Sequence, residues 1–275
     1  MVDPAEPMHE TAYAKINLAL HVRERMADGY HRIETIFAFA DDGDRLGVAE
    51  VQDLTLEIIG PFAPDLVGEA DNLILRAARA LRDRYGVAAG ARLTLDKRLP
   101  IASGIGGGSA DAAAALRLLA RWWHLDASEG DLLEIAARLG ADVPACLLSL
   151  TARGEGKGDD LKPLPAEDLA GTPLLLVNPR RALSTAAVFK AWDGVDRGPL
   201  GEWREGRNDL EQPAVGLVPE IADVMAALDG AEFACMSGSG ATCFGLYATV
   251  EARDRAAAHL AAVHPEWWTL ASQIR

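Results

Sequence analysis

Residues 100–111 read PIASGIGGGSAD, and glycine occupies four of the five positions 104–108. A segment with strand-like alternation, 92–97, precedes this stretch, and an alanine-rich segment with helical spacing, 110–123, follows it. Glycine has no β-carbon, so a ligand can approach such a backbone closely. The N-terminus of the following helix adds amide N–H groups and the positive end of a dipole. The stretch therefore predicts a phosphate-binding loop.

Two familiar nucleotide-binding motifs do not fit this loop. No lysine follows the last glycine, as a Walker A motif requires, and Ser109 stands where the dinucleotide fingerprint has its third glycine. The alternative is a flexible turn, which the backbone entropy of so many glycines argues against. A second cluster, MSGSGAT at 236–242, is by itself equally compatible with a tight hairpin.

Composition restricts the possible functions. The chain has 275 residues, 49% of them hydrophobic, which is enough for one large or two medium domains. Its formal net charge of −14 argues against a nucleic-acid partner, since phosphate backbones are bound by Lys and Arg. An anionic small molecule is still allowed if local amides or one placed lysine hold it.

The sequence predicts a cytoplasmic protein. Residues 1–10 carry three acidic residues and no basic or apolar run, so no signal peptide is expected. No segment approaches the ~18 apolar residues of a membrane helix. Cys146, Cys235 and Cys243 are widely spaced and lack a zinc or disulfide pattern. No obligate protein partner is evident.

The hydrophobic pattern predicts an α+β protein. Residues 12–22 alternate, which indicates a strand with one buried face and with Lys15 and Asn17 on its polar face. Further predicted strands, helices and turns are a turn at 28–29, a strand at 33–40, a turn at 41–44, a strand at 54–59, a helix at 72–85 capped by Asp71, a helix at 131–139, a strand at 174–177, helices at 221–228 and 251–263, and a strand-loop-strand at 235–247. Mixed elements without strict alternation favour two domains, 1–163 and 164–275.

Three blocks resemble the three motifs of the GHMP kinases in the expected order: AKINL at 14–18, the loop at 104–111 and the cluster at 236–242. This superfamily includes galactokinase, homoserine kinase, mevalonate kinase and phosphomevalonate kinase. The resemblance implies an N-terminal domain like ribosomal protein S5 domain 2 and a ferredoxin-like C-terminal domain. It also implies that ATP, with Mg²⁺, and an acceptor bind in the cleft between them.

Four further blocks resemble the diphosphocytidyl-methylerythritol kinase branch: ADGYHRIET at 27–35, GADVP at 140–144, NP and ST within 178–185, and NDLE at 208–211. The resemblance implies phosphorylation of the 2-hydroxyl of 4-diphosphocytidyl-2-C-methylerythritol in the non-mevalonate isoprenoid pathway. Ile105 stands where the family usually has Leu. The GEG segment at 154–156 is a looser version of the family's pattern, which leaves the register of that strand open.

By this resemblance, Asp142 is the base that accepts the proton of the acceptor hydroxyl. Lys15 would keep Asp142 ionised and neutralise charge on the transferred group, and Asn17 would orient the hydroxyl. From the residues alone, Asp142 also suits a helix N-cap after Gly140, and Lys15 also suits a solvated surface position.

The resemblance assigns cytidine recognition to Tyr30, whose ring would stack on the base, and to His31, which would hydrogen-bond the edge of the base. Phe189 would close the other side of the base, or it is a core residue of a helix over 186–192.

The ATP phosphates would lie against backbone amides of the loop, and the Ser109 hydroxyl would lie near phosphate or Mg²⁺. Asn72 would contact the adenine, although it also suits the first turn of a helix. Asp111 would assist a metal or favour its own helix N-terminus. No residue cluster has the spacing of a metal cage, so Mg²⁺ is expected to arrive with ATP. The loop residues expected to bind phosphate are Gly104, Gly106, Gly107, Gly108 and Ser109.

Two other functions are compatible with the glycine loop. Another GHMP enzyme would share the loop but not the block at 28–31. A nucleotide-binding regulator without catalysis would need neither Lys15 nor Asp142.

Overall fold

The computed structural model describes residues 8–66, 71–165 and 168–275. Residues 1–7, on which most of the signal-peptide prediction depends, lie outside them. The chain forms two compact units. The first unit contains the described residues up to Tyr13 together with Gly43–Ile101 and Gly107–Leu148, and the second contains Ala14–Asp42, Ala102–Gly106 and Ser149–Arg275. Within the described part of the chain, no helix has the length and apolar character needed to cross a membrane.

Strands and helices are mixed along the chain without strict alternation. The strands are β1 His9–Arg25, β2 His31–Ala49, β3 Leu54–Ile59, β4 Ala91–Asp96, β5 Ala152–Glu155, β6 Asp160–Pro163, β7 Pro173–Asn178, β8 Phe233–Met236, β9 Cys243–Leu246 and β10 Trp268–Gln273. The helices are α1 Leu73–Tyr85, α2 Gly107–Trp122, α3 Glu129–Leu139, α4 Val143–Leu148, α5 Thr185–Ala191, α6 Glu211–Leu217, α7 Glu220–Ala227 and α8 Val250–Val263, with short 3-10 turns at Ala63–Leu66 and Trp203–Glu205.

In the first unit, β4 lies between two partners. It pairs in parallel with β3 and antiparallel with the C-terminal part of β2, where Leu46 faces Leu95. Leu93 and Leu95 are fully buried, as their alternation predicts. Helix α2 packs against α1 and α4, and its alanines from Ala112 to Ala115 are fully buried. Their small side chains allow neighbouring elements to approach α2 closely.

In the second unit, four antiparallel strands form a sheet in the order β10-β7-β9-β8. The central strand β7 is apolar from Leu174 to Val177, and these residues are fully buried. Helix α7 packs on this sheet, and its Ile221 and Val224 join the same hydrophobic core. The N-terminal part of β2 pairs with β5 in this unit, which fixes the position of Thr35 opposite Gly154.

The prediction of one buried face for β1 is wrong. Lys15, Asn17 and His21 on the polar face are 2–3% exposed. The side chains of Asn17 and His21 make hydrogen bonds to residues far away in the sequence, Asn17 to Thr35 and His21 to the Gly198 carbonyl. Because partners at such distances are not visible in a local pattern, alternation alone predicted that the polar face of β1 is exposed to solvent.

The predicted turn at 41–44 is also wrong, because β2 continues through it to Ala49. A run of three aspartates and a glycine is typical of a turn. Here Asp44 is fully buried and ion-paired with Lys97, and Gly43 allows the backbone of Ala12 to approach closely. Tertiary contacts therefore override the local turn signal.

Several helix boundaries differ from the prediction. Asn72, not Asp71, caps α1, since its side-chain oxygen accepts a hydrogen bond from the Ile74 amide. Helix α2 begins at Gly107 rather than at residue 110. The predicted end of α1 at Gly86 is confirmed, because this residue has the left-handed conformation that ends many helices.

We predict that Gly43→Ala destabilises the protein. A β-carbon at this position would lie 1.9 Å from the Ala12 carbonyl oxygen, so one strand must move. The free energy of unfolding should fall by about 1–3 kcal/mol or more in equilibrium guanidinium denaturation. Gly216→Ala in α6 is the control, because a β-carbon there meets nothing within 4 Å and should leave stability unchanged or slightly raised. Wild-type stability in Gly43→Ala would contradict the close approach.

Candidate active site

The second unit joins three segments that are distant in sequence. The Lys15 amide on β1 donates to the Ile105 carbonyl in the glycine loop, at 3.0 Å. The Thr242 amide, at the end of the second glycine cluster, donates to the Ser103 carbonyl, at 3.1 Å. Main-chain hydrogen bonds therefore join the glycine loop to β1 on one side and to the cluster at 236–242 on the other.

Ser237 adds a side-chain link between the same segments. Its hydroxyl accepts a hydrogen bond from the main-chain N–H of Asn17 at 3.2 Å and donates to the Gly104 carbonyl at 3.0 Å. A β-carbon on Gly104 would lie 2.4 Å from the Ser237 carbonyl oxygen, and Gly104 has a φ of +77°. Glycine is therefore required at this position. The 236–242 segment connects two antiparallel strands, as a hairpin would, and it also packs against the loop.

Lys15 and Asn17 form a buried polar pair. The Lys15 ammonium donates to Asn17 Oδ1 at 2.9 Å and lies 5.1 Å from the centre of the Phe37 ring. Both side chains are nearly inaccessible to solvent, so the alternative of a solvated lysine is wrong. A buried ammonium is held by hydrogen bonds and an aromatic face rather than by water.

Asn208 fixes the second glycine cluster from the other side. Its Nδ2 donates to the carbonyls of Met236 and Gly238, at 2.7 and 2.8 Å, and its Oδ1 accepts from the Leu210 amide. The neighbouring Asp209 accepts from the Val22 amide of β1 at 2.8 Å. Two adjacent residues thus hold both the cluster and β1.

The predicted cytidine residues also lie in the second unit. The rings of His31 and Phe189 stack with centroids 4.8 Å apart, and Trp192 packs edge-on against His31. Burial lowers the pKa of His31, and the Arg25 charge lowers it further, so the imidazole is neutral at pH 7. Tyr30 is 56% exposed, with Lys157 Nζ 4.2 Å from its ring centre.

The C-terminal half of the glycine loop belongs to the first unit. Gly107, Gly108 and Ser109 form the first turn of α2, where amide groups have no partner within the helix. A β-carbon on Gly107 would lie 3.1 Å from Lys97 Nζ, so this glycine packs directly against the lysine.

A buried ion triad lies next to Gly107. Lys97 Nζ is 2.6 Å from Asp44 Oδ2 and 2.6 Å from Asp111 Oδ2, and all three side chains are at most 5% exposed. Asp44 Oδ1 also accepts two amide hydrogen bonds, from Arg98 and Leu99. Asp111 Oδ1, by contrast, is buried without a hydrogen-bond partner in the described part of the chain.

The triad has one cation for two carboxylates. Burial raises the pKa of Asp111 to about 7, the Lys97 ammonium opposes this shift, and the Asp44 charge adds to it. Burial lowers the pKa of Lys97, but the two carboxylates raise it above its ordinary value. The two amide hydrogen bonds to Asp44 have no counterpart at the buried Asp111 Oδ1 in the described part of the chain, which agrees with the raised pKa of Asp111.

The other predicted residues lie in the first unit. Asp142 directly precedes α4, and its carbonyl accepts a hydrogen bond from the Cys146 amide at 3.0 Å. The N-cap alternative is therefore compatible with the structure. Asn72 caps α1. Lys15, Asn17, Tyr30, His31, Phe189, Gly104 and Gly106 belong to the second unit, and Asn72, Gly107, Gly108, Ser109 and Asp142 to the first.

Known proteins with similar sequences are kinases. The family models for the GHMP kinases N terminal domain and the GHMP kinases C terminal match residues 72–149 and 193–266. The 4-diphosphocytidyl-2-C-methyl-D-erythritol kinase of Rhizorhabdus wittichii is 55% identical, covering 99% of this chain and 97% of that protein. The kinase of the same name from Sphingopyxis alaskensis is 50% identical, covering 98% and 99%.

This chain belongs to the 4-diphosphocytidyl-2-C-methyl-D-erythritol kinase family of GHMP kinases. A crystal structure of a 4-(cytidine 5'-diphospho)-2C-methyl-D-erythritol kinase matches with a TM-score of 0.83 and 35% identity, covering 97% of this chain and 99% of that one. Homoserine kinase from Cytophaga hutchinsonii shares the fold, with a TM-score of 0.74 at 17% identity, covering 100% and 96%. The predicted two-domain α+β GHMP kinase fold is confirmed. The family models leave 150–192 unmatched, so the boundary at 163/164 stays a prediction.

The sequence analysis missed several residues that make buried contacts next to the predicted site segments. Thr35 and Asn208 lie in blocks that carried the resemblance, yet no contact was predicted for them. Lys97 ends the predicted strand at 92–97, and its partner Asp44 was assigned to a turn. A charged residue in an alternating strand was the available signal for Lys97, but its partner could not be identified from the local sequence.

We predict that Asn208→Ala destabilises the second unit. The change removes both donors to Met236 and Gly238 and leaves these carbonyls unpaired, which typically costs about 1–3 kcal/mol per buried group. Calorimetry should show a lower melting temperature, whereas the exposed Gln212→Ala should leave it unchanged. An unshifted melting temperature in Asn208→Ala would show that these bonds contribute nothing.

We also predict a pH-dependent effect of Asp111→Asn. Because the folded-state pKa of Asp111 is about 7 against an ordinary 3.8, its favourable contribution is complete below about pH 4 and is lost as the pH rises through 7. Asparagine does not titrate. The unfolding free energy of the variant minus that of the wild type should therefore increase between about pH 5 and pH 8 in guanidinium titrations. A difference that is constant with pH would contradict the raised pKa.

Proposed function

We propose that this chain transfers the γ-phosphoryl group of ATP to the 2-hydroxyl of 4-diphosphocytidyl-2-C-methyl-D-erythritol, giving the 2-phosphate and ADP in the non-mevalonate isoprenoid pathway. The observation that carries the proposal is the buried Lys15–Asn17 pair, which Ser237 ties to the glycine loop. The relatives of the same family, with 50–55% identity over nearly the whole chain, support it.

Phosphoryl transfer depends on in-line positioning and on stabilising charge, with little covalent help from the protein. In this proposal Lys15 neutralises the charge that develops on the transferred group. Asn17, which shares the face of β1 with Lys15, orients the acceptor hydroxyl. A rigid, buried lysine suits this role because its charge is not screened by water.

Asp142 is the proposed base that accepts the proton of the 2-hydroxyl. Asp142 is partly exposed and directly precedes α4, and its main-chain carbonyl accepts a hydrogen bond from the Cys146 amide. A general base must lie within hydrogen-bond reach of the proton that it accepts.

The ATP phosphates are proposed to bind the backbone amides of Gly104, Gly106, Gly107 and Gly108, and Asn72 to contact the adenine. The Ser109 hydroxyl, on the first turn of α2, is partly exposed and of the oxygen type that Mg²⁺ accepts. Ser109 and the phosphates would therefore hold Mg²⁺, which supplies charge neutralisation when bound. In the described residues, His, Cys, Asp and Glu form no group of three suited to a metal.

Cytidine recognition is proposed for Tyr30, His31 and Phe189. The exposed Tyr30 ring would stack on the base, and the neutral His31 would offer one donor and one acceptor to its edge. Phe189 would close the other side of the base, and its contact with His31 would hold the imidazole in place. A cytoplasmic location and the absence of a nucleic-acid partner are part of the same proposal.

A coupled assay for ADP release tests the substrate. ATP and Mg²⁺ are offered with the diphosphocytidyl substrate, homoserine or mevalonate in separate reactions. Turnover with the cytidine substrate alone is expected. Turnover with another acceptor would disprove the cytidine assignment, and none with any acceptor would favour a nucleotide-binding regulator.

We predict that Asp142→Asn removes turnover but not ATP binding. Loss of a general base typically lowers kcat by about 10²- to 10⁴-fold, while the phosphate-binding amides are unchanged. Steady-state kinetics and calorimetric titration with a non-hydrolysable ATP analogue measure the two effects. The control is Asp126→Asn, because Asp126 is an exposed aspartate of the same unit, and this variant should behave as wild type. Full activity of Asp142→Asn would exclude its role as base.

A further inference from the structure

The Asn17 carboxamide has a defined partner on each side. Its Oδ1 accepts from Lys15 Nζ at 2.9 Å, and its Nδ2 donates to the Thr35 hydroxyl at 2.7 Å. The Thr35 hydroxyl in turn donates to the Ala19 carbonyl at 2.6 Å. Four residues of β1 and β2 therefore form one continuous hydrogen-bonded chain that ends at the ammonium group of Lys15.

The direction of each bond in this chain follows from its end at Ala19. A main-chain carbonyl only accepts, so the single hydrogen of the Thr35 hydroxyl is committed to Ala19. The hydroxyl oxygen can then only accept from Asn17, which requires the NH₂ group of Asn17 on that side. The Oδ1 atom of Asn17 must consequently face Lys15, where it accepts from the ammonium.

The Thr35 hydroxyl is itself held in position. Thr35 lies opposite Gly154 in the pairing of β2 with β5. A β-carbon on Gly154 would lie 3.2 Å from the Thr35 methyl group, so the methyl packs closely against this glycine. With the methyl on that side, the hydroxyl faces β1.

Water cannot replace these bonds. Thr35 is 0% exposed, Asn17 2% and Lys15 3%. In such surroundings an unpaired amide or carbonyl is costly, and a fully satisfied chain is rigid.

We propose that Thr35 is a positioning residue for phosphoryl transfer: by fixing the orientation of the Asn17 carboxamide, it fixes the Lys15 ammonium. The proposal rests on the function proposed above, in which Lys15 stabilises the transferred group. Thr35 acts through Asn17 and does not contact the reacting atoms.

The test compares Thr35→Val, which removes the hydroxyl while keeping the shape, with Thr35→Ser, which keeps the hydroxyl. Displacement of a catalytic group by about 1 Å can cost on the order of 10²-fold, so kcat of Thr35→Val should fall roughly 10- to 100-fold. KM for ATP should stay near wild type, because the backbone amides proposed to bind the phosphates lose no contact. Thr35→Ser should recover most of the lost kcat.

Melting temperatures of all variants separate positioning from stability, with assays run well below the lowest value. If Thr35→Val does not fold, Thr35→Ala removes the same hydroxyl without adding a methyl in its place. Wild-type kcat in the folded variant that lacks the hydroxyl overturns the proposal. An equal loss of kcat in Thr35→Ser also overturns it, since the methyl contact would then be responsible.

A second readout does not depend on turnover. In ¹H–¹⁵N NMR spectra, the side-chain NH₂ of Asn17 should be protected from solvent exchange in the wild type and in Thr35→Ser, and should lose this protection in Thr35→Val. If the wild type phosphorylates none of the acceptors but this pattern appears, the proposed function fails while the Thr35–Asn17 link stands. Unchanged protection in Thr35→Val overturns the link itself.

Discussion

The close approach of Gly104 to the backbone of residues 237–240 is the constraint on which the candidate site depends. A β-carbon at Gly104 would lie 2.4 Å from one carbonyl oxygen and 2.7 Å from another, so only glycine allows this packing. The approach brings the Ser237 hydroxyl within reach of both the Gly104 carbonyl and the Asn17 amide. Strand β1, the glycine loop and the second glycine cluster are thereby fixed to one another, and the Lys15–Asn17 pair acquires a defined place.

An acidic chain with a net charge of −14 must bind a polyanion through local groups. The two buried lysines have different surroundings. Lys97 is enclosed by the carboxylates of Asp44 and Asp111 and packs under Gly107, so it supports the first turn of α2 from within. Lys15 is bonded to a neutral amide and lies over an aromatic ring. The charge of Lys97 is neutralised by the two carboxylates.

The sequence predicted those elements whose boundaries are set by neighbouring residues, and it missed those that depend on contacts with residues far away in the sequence. Strands β3 and β4 and the end of α1 at Gly86 were predicted because alternation and a left-handed glycine are local signals. The continuation of β2 through Asp44 was missed, since the ion pair that permits it involves Lys97, 53 residues later. The motif blocks identified the family, but the contacts of Thr35, Ser237 and Asn208 follow only from tertiary pairing.

The central claim, phosphoryl transfer from ATP to the 2-hydroxyl, is tested most directly by NMR of the product. The cytidine substrate carries ¹⁸O in its 2-hydroxyl, and ³¹P spectra are recorded after incubation with ATP and Mg²⁺. The account predicts a new phosphomonoester signal that shows the upfield isotope shift of a directly bonded ¹⁸O, together with ADP. A phosphomonoester without that shift would place the phosphate on another hydroxyl, and ATP left intact would contradict the kinase assignment altogether.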